Sequence, residues 1–592
     1  MRTRSLRRLS SLPLAGRLAG IGLGAVAVFA TGSALVPSTA QACGCFAPPD
    51  PSVPIVQAGE RILFAHENGE VLAHIQIQYS GKPGEFGWLL PLPAVPKDRT
   101  GKDGIELGVD ELFTQLTSTT QPKYRLKRVY PDCGGKSASR NTAGLPPLSA
   151  ADSAGGFDMG APGAPPSPLV VQSSIGPYDF AILKADNKDL MLKWLTDNRY
   201  FVPAGTEQAS APYIRPGAFF LALKLKAGES SGALQPVVLR YKSDLPMIPL
   251  VLTSVAAQPN MGIQVWMLGA GRAIPRNYYH TVINDAQINW FTSGANYNDV
   301  IIKAVGEADG KHSFVTEYAG ASTVMRNLLN APGRFGNLDT LALVKDPVSF
   351  VQGALGGGFS ATNSQFTGTM ERFIPLPAAL KAQGVTLATY YARIDFYLNT
   401  DRRNNPAKYT DIEAALAAFD GAMVVPELRT RVVEPTLDAG AAFDRFAYLT
   451  RLYTTLSPED MNKDPVFSYN PSLSDYANLH EATLTYNCSG FFSKEMYSSA
   501  TLETASGFKR LFTVNEADSN QWSGLSAPFS QQIQTLREVG EPEVLVDNTS
   551  AIRQALGTGG CSAAPGSGAG AASALGLLLG STALLLRRRR SA

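Results

Sequence analysis

The chain is 592 residues long, with a formal charge of +2, 44% hydrophobic residues and 17% charged ones. That length implies roughly two to four folding units. The apolar content excludes disorder along the whole chain, and the near-zero charge argues against a dedicated nucleic-acid binder. The charge is nonetheless uneven. Nine arginines stand in residues 1–42 and 587–592 with no acid beside them, and the other 43 basic residues face all 50 acids, so that stretch is near −7.

Residues 1–42 carry Arg2, Arg4, Arg7, Arg8 and Arg17, then an apolar run over 21–30, then Ala40-Gln41-Ala42 just before Cys43. A basic start, a short apolar core and a small-x-small site predict a signal peptide cut by signal peptidase after Ala42. Cys43 as the first mature residue also admits a lipoprotein, but Ala40 stands where a lipobox prefers leucine, so ordinary cleavage is the preferred reading.

Residues 50–96 read as antiparallel β. Val71, Ala73, Ile75, Ile77 and Tyr79 alternate with polar neighbours, the period of a strand with one buried face. Asn68-Gly69 between this run and residues 61–65 predicts a tight hairpin turn. That turn sets His66 opposite Val71 and His74 on the other face. Residues 86–93 form a further apolar strand ending at prolines. Residues 134–175, rich in Gly, Ser, Ala and Pro, read as a flexible insertion, with strand character resuming near Val170 and Tyr178.

A helix is predicted over 188–198, capped near Asp186 or Asn187, with Leu190, Trp194 and Leu195 on one face. Strands are predicted over 218–225, 236–241, 250–255 and 263–268, the last apolar on both faces and therefore central. Tyr297 to Ala308 reads as a helix with Val300, Ile301, Ala304, Val305 and Ala308 in one stripe. Residues 392–398 alternate and read as a strand. Helices are predicted over 411–419 and 441–455, and strands over 482–486 and 508–514. The order predicts an α+β fold with mostly antiparallel sheets and interspersed helices.

Past Cys561 comes a small-residue stretch to Gly568, an apolar segment over 569–586 and the arginines Arg587 to Arg590. Eighteen such residues can just span a bilayer core, and the basic flank predicts that the bulk of the chain lies outside the cytoplasm. Cysteine, spacer, short span and arginine cluster together resemble the MYXO-CTERM sorting tails of myxobacterial surface proteins. The resemblance implies Cys561 as the cleavage and attachment residue, acted on by a sorting protease. A plain tail anchor, with Cys561 incidental, is the alternative. The resulting division is a signal peptide 1–42, a β-rich part 43–133, the insertion 134–175, an α+β remainder 176–556, a stalk 557–568, a transmembrane segment 569–586 and a cytoplasmic tail 587–592.

An exported chain meets oxidising conditions, so Cys43, Cys45, Cys133 and Cys488 are expected to pair. Bonding Cys43 to Cys45 would close a small strained ring, so each is expected to reach Cys133 or Cys488, in either order. A metal site is the alternative, but C-x-C is not a usual zinc spacing and no paired histidines adjoin it.

Several segments resemble the bacterial family of domain of unknown function 2330: Ala42-Cys43-Gly44-Cys45-Phe46, Phe86-Gly87-Trp88-Leu89-Leu90-Pro91, Gly176-Pro177-Tyr178-Asp179, and Trp194-Leu195 with Tyr200-Phe201-Val202-Pro203. They continue with Ile248-Pro249-Leu250, Phe314-Val315-Thr316-Glu317-Tyr318, Leu449-Thr450-Arg451-Leu452-Tyr453 and Met461-Asn462-Lys463-Asp464-Pro465-Val466-Phe467. The resemblance implies an exported or surface protein and no particular reaction.

Catalytic patterns are sparse. No G-x-S-x-G elbow occurs, and Gly356 to Ser360 reads as a loop. Gly306 to Lys311 departs from a phosphate loop in spacing and reads better as a helix C-cap at Gly310. His480-Glu481 lacks the second histidine of a zinc protease. Asp460, Asn462 and Asp464 have the spacing of calcium ligands, but Pro465 stands where glycine is expected, and an Asx-turn is the alternative. These observations predict an exported, envelope-anchored, non-catalytic surface protein acting in adhesion, envelope structure or ligand binding. It would be held to the membrane by its C-terminal helix, with no cofactor, no nucleic-acid partner and no identified extracellular partner. The alternative is a surface hydrolase whose site gathers two or three of Asp179, Asp244, Glu317, Asp395 and Asp464.

Overall fold

In the computed structural model, residues 56–80, 87–133, 167–200, 202, 205–226, 234–490 and 493–557 are described. The first hairpin follows the alternation of its sequence. Val56–Glu67 and Glu70–Ser80 pair across Asn68-Gly69, whose φ of +54° and +73° give the turn that matches strand twist. His66 pairs with Val71 and His74 with Leu63, placing the two histidines on opposite faces as expected.

This hairpin enters a ten-stranded mixed sheet. Its centre is Ala257–Gly269, parallel to Val56–Glu67 on one side and antiparallel to Tyr448–Leu456 on the other. Ser313–Ala321 continues beyond Tyr448–Leu456, and Val237–Lys242 pairs with Glu70–Ser80. Residues 263–268 of this strand are buried on both faces, as the apolar residues on both of its faces predict. Ile263, Val265 and Met267 enter one core with Ile62, Phe64 and Val71. Trp266 and Leu268 enter another with Leu63, Phe113 of the helix Asp110–Thr120, and Phe443.

A four-stranded antiparallel sheet, ordered Gly87–Leu92, Phe219–Leu225, Tyr178–Lys184 and Leu169–Ile175, packs against the first core through Trp88, Leu90, Phe180 and Leu223. Its other face meets the helix Lys188–Asp197 through Leu89, Leu183, Met191 and Leu195. Asn187 caps that helix, accepting from Leu190 N at 3.0 Å. Leu190 itself is exposed and Met191 takes its expected place in the core. Leu169–Ile175 is a strand inside the span assigned to the insertion, whose residues 134–166 lie outside the described ones.

Residues 330–446 are largely helical around a core of their own, built from Phe350, Phe366, Tyr390, Tyr391, Val424 and Leu428 among others. Residues 392–398 are not a strand: Leu387–Ala392 is a helix and Phe396–Asp401 a π-type turn. The buried positions are Tyr390, Tyr391, Ile394, Tyr397 and Leu398, a helical spacing, while Ala392 and Phe396 face solvent. Tyr397 is buried, so the apparent alternation of residues 392–398 does not hold. The helix expected over 441–455 is instead Glu434–Arg445 followed by the strand Tyr448–Leu456, which is rich in β-formers. Residues 250–255 hold the short helix Leu250–Thr253, because a brief apolar run does not distinguish helix from strand. Among the described residues the strand pairs are mostly antiparallel, as expected, with three parallel pairs.

The last sheet orders Lys509–Phe512, Tyr497–Thr504, Leu479–Cys488 and Lys123–Val129, the final pair parallel. A disulfide joins Cys133 to Cys488 across 355 residues of sequence. It corrects the expectation that each of these would bond Cys43 or Cys45, which lie outside the described residues, as do Ala42 and Cys561. Parallel pairing of the two strands brings their ends together, a proximity that cysteine spacing alone does not reveal. All described residues fall in one compact unit. Among them no helix is long and apolar enough to cross a membrane, and residues 569–586 are not among them.

Candidate functional site

A cleft of about 570 Å³ opens where three elements meet: the loop 98–107, the turn 173–176, and the entry to the helix Glu434–Arg445. The loop is shaped by its own side chains. Asp98 accepts from Thr100 N at 2.7 Å and Lys102 N at 3.1 Å, and Lys97 reaches Asp103 at 2.8 Å. Glu106–Leu107 then pairs with Val237–Lys242, which fixes the loop to the large sheet. The turn approaches closely enough that a Cβ on Gly176 (φ +48°) would lie 2.6 Å from Leu107 Cδ1, so only glycine fits there. The third wall is the turn Arg429–Val433, which runs into the helix with Pro435 in its first turn.

The cleft gathers charge. Arg99 pairs with Asp438 at 2.5 Å and lies 3.4 Å from Glu106, whose other oxygen is 2.8 Å from Arg240. Glu106 is buried beneath these guanidiniums. Glu434 differs: it is 3% exposed, and its Oε1 has no hydrogen-bond partner. Burial raises the Glu434 carboxyl above its ordinary value, against the pull of Arg99 and Arg429. Burial likewise raises Asp438, with Arg99 opposing. Ile105, Leu107, Ile175, Phe180 and Pro435 supply apolar lining. A carboxyl in this setting, its ionised form destabilised by burial, can accept hydrogen bonds from a bound group.

The carboxylates nominated from sequence do not gather here or elsewhere. Glu317 is locked in the core by Arg451 and by the Tyr297 hydroxyl at 2.7 Å. Asp179 accepts from Ser174, Asp244 is exposed, and Asp395 accepts from Asn399 at 2.8 Å. Asp464 is raised by burial and accepts from Tyr213 and from Val251 N at 2.9 Å. Of the calcium candidates, Asp460 pairs with Lys311 at 2.7 Å, Asn462 is exposed, and Asp464 is engaged as above. Among the described residues, no three or more His, Cys, Asp or Glu side chains gather as a metal site would require.

The histidines are scattered as well. His66 stacks on Tyr469 and His480 on Tyr124 at 4.9 Å. His280 lies between Gln534 and Thr316, and His312 beside Tyr278. Gly310 has φ +61° but sits in the turn after a helix that ends at Gly306, so it is not that helix's cap. Ser360 bonds Thr362 in a loop. The cleft residues Arg99, Glu106, Glu434 and Asp438 were not singled out from sequence. Their one visible signal is the spacing of four between Glu434 and Asp438, which places two acids on one helix face.

Residues 37–329 match the model of a family described as an uncharacterized protein conserved in bacteria, DUF2330. Through those residues the chain belongs to that family. The DUF2330 match takes in the loop 98–107 and the turn 173–176 of the cleft but ends before Glu434. It also ends before the segments 449–453 and 461–467, two of those that carried the resemblance. No curated protein and no solved structure matches the chain significantly.

Proposed function

We propose that this DUF2330 protein is exported, held at the cell envelope through its C-terminal segment, and binds a ligand in the cleft without catalysing a reaction. The observation that carries the export reading is the Cys133–Cys488 disulfide, because such bonds persist in oxidising compartments and are rare in the cytosol. The sequence ends support the same reading: a signal peptidase site at Ala42, and a sorting tail in which Cys561 is the processing residue. The near −7 charge of the remainder gives no surface for nucleic acid. Ligand binding is supported by a concave, largely preformed site of ordinary ligand volume. Adhesion and envelope structure would not by themselves require such a cleft.

Cell fractionation of Cys561→Ala tests the anchor. The sorting reading expects loss of surface retention and a change in mass of the mature chain. Unchanged retention with unchanged mass would leave a plain tail anchor. A carboxylate hydrolase is the second reading, favoured by the raised Glu434 carboxyl beside Asp438. It requires turnover of a substrate that Glu434→Gln abolishes.

A further inference from the structure

We infer that the cleft takes an organic cation, an ammonium or guanidinium group on an apolar stem, with Glu434 as its counter-ion. This rests on reading the cleft as a binding site and names the class of ligand.

Most charges around the cleft are already met. Arg99 and Arg240 are committed to Asp438 and Glu106. The Asp98 carboxylate is occupied by the backbone and hydroxyl of its own turn, and Asp103 by Lys97. Glu434 is left with a buried oxygen that no donor reaches. A buried acceptor without a partner is costly, more so when charged, so a donor delivered there recovers stabilisation. A cationic donor recovers most, because charge-assisted bonds are roughly twice as strong as neutral ones.

The surroundings select further. Acidic side chains outnumber basic ones around the site, which disfavours an anion. Ile105, Leu107 and Phe180 offer the stem an apolar wall. A bare divalent cation would need several oxygen ligands. Glu106 and Asp438 are instead neutralised by arginines, and no group of three potential ligands exists among the described residues.

The test is calorimetric titration of the full chain, purified in detergent, with n-butylamine and agmatine as probes and butyrate, n-butanol and calcium chloride as comparisons. The inference expects both cations to bind, butyrate and calcium to give no heat, and Glu434→Gln to weaken cation binding roughly tenfold or more. Because Gln carries no charge to bury, that variant is expected to fold, which its melting temperature checks. Thr430→Lys is a second variant, on the exposed residue one helical turn before Glu434. It supplies an ammonium in place of the ligand and is expected to weaken the probes similarly. Cation binding that is indifferent to both variants would overturn the inference. Binding of butyrate or calcium, lost in Glu434→Gln while the amines stay silent, would overturn the ligand class and leave the cleft a binding site. Silence of every probe would overturn both readings.

Discussion

Glu317 and Arg451 form an ion pair in the protein interior, their side chains 1% and 3% exposed, on neighbouring antiparallel strands. A register shift makes the contact. Thr316 pairs with Leu452 and Tyr318 with Arg451, so Glu317 is the extra residue of a bulge. The guanidinium also lies 5.2 Å over the ring of Trp266, whose Nε1 donates to Thr120 at 2.9 Å. Removing one partner leaves the other charge buried and alone. Glu317→Gln or Arg451→Met is therefore expected to cost about 3–5 kcal/mol, and the paired replacement Glu317→Leu with Arg451→Met distinctly less. Denaturant unfolding of the three variants checks this, and single variants within about 1 kcal/mol of the parent would contradict it.

The disulfide links the end of Leu479–Cys488 to a point four residues past its parallel neighbour Lys123–Val129. Closing so long a loop removes entropy from the unfolded chain. Cys133→Ser is expected to lower stability by about 2–5 kcal/mol in the absence of reductant. In excess dithiothreitol the parent and the variant should converge, so melting with and without reductant separates the bridge from any packing effect.

His74 and His280 are fully enclosed and held neutral by burial, each lowered from 6.5 to about 3, with Arg240 and Arg272 respectively adding to the effect. In the unfolded chain both take up protons near 6.5. The stability they contribute is complete above that value and declines as pH falls toward about 3, on the order of a few kcal/mol per histidine. Asp438, Glu434 and Asp464, raised in the fold, act in the opposite sense as pH falls through their raised values. Both His74 ring nitrogens lack partners, so His74→Leu is expected to flatten the stability profile between pH 6.5 and 5. A profile identical to the parent's would refute the assignment.

Gly421 starts the helix Gly421–Leu428 against the preceding chain. A Cβ there would stand 2.2 Å from the Leu341 carbonyl oxygen and 2.7 Å from that of Val344, both backbone atoms. Gly421→Ala is expected to cost about 1–3 kcal/mol. Gly356→Ala, at the end of the helix Pro347–Gly356 with open space around it, should be neutral or mildly stabilising. Equal melting temperatures for the two variants would contradict the close approach.

What the sequence made legible follows from how local its signals are. The Asn68-Gly69 hairpin, the doubly buried strand at 263–268 and the stripe of the helix Tyr297–Gly306 rest on residues near one another in the chain, and all three are present. The helical stretch around Tyr390 to Leu398 does not show in the sequence pattern because its core includes tyrosines, whose rings pack while their hydroxyls suggest exposure. The Cys133–Cys488 pairing and the cleft were hidden for another reason. Arg99, Glu106, Glu434 and Asp438 come from distant segments, and only the packing of residues 430–438 against the loop 98–107 brings them together.

The redox state of Cys133 and Cys488 in the cell decides whether the chain is exported. Thiols would be blocked at lysis, the membrane and soluble fractions separated, and the peptides bearing both cysteines analysed by mass spectrometry without reduction. An exported chain carries a linked pair, in envelope-associated protein accessible to protease added outside intact cells. Both cysteines alkylated as free thiols, in chains recovered from the cytosol, would contradict it.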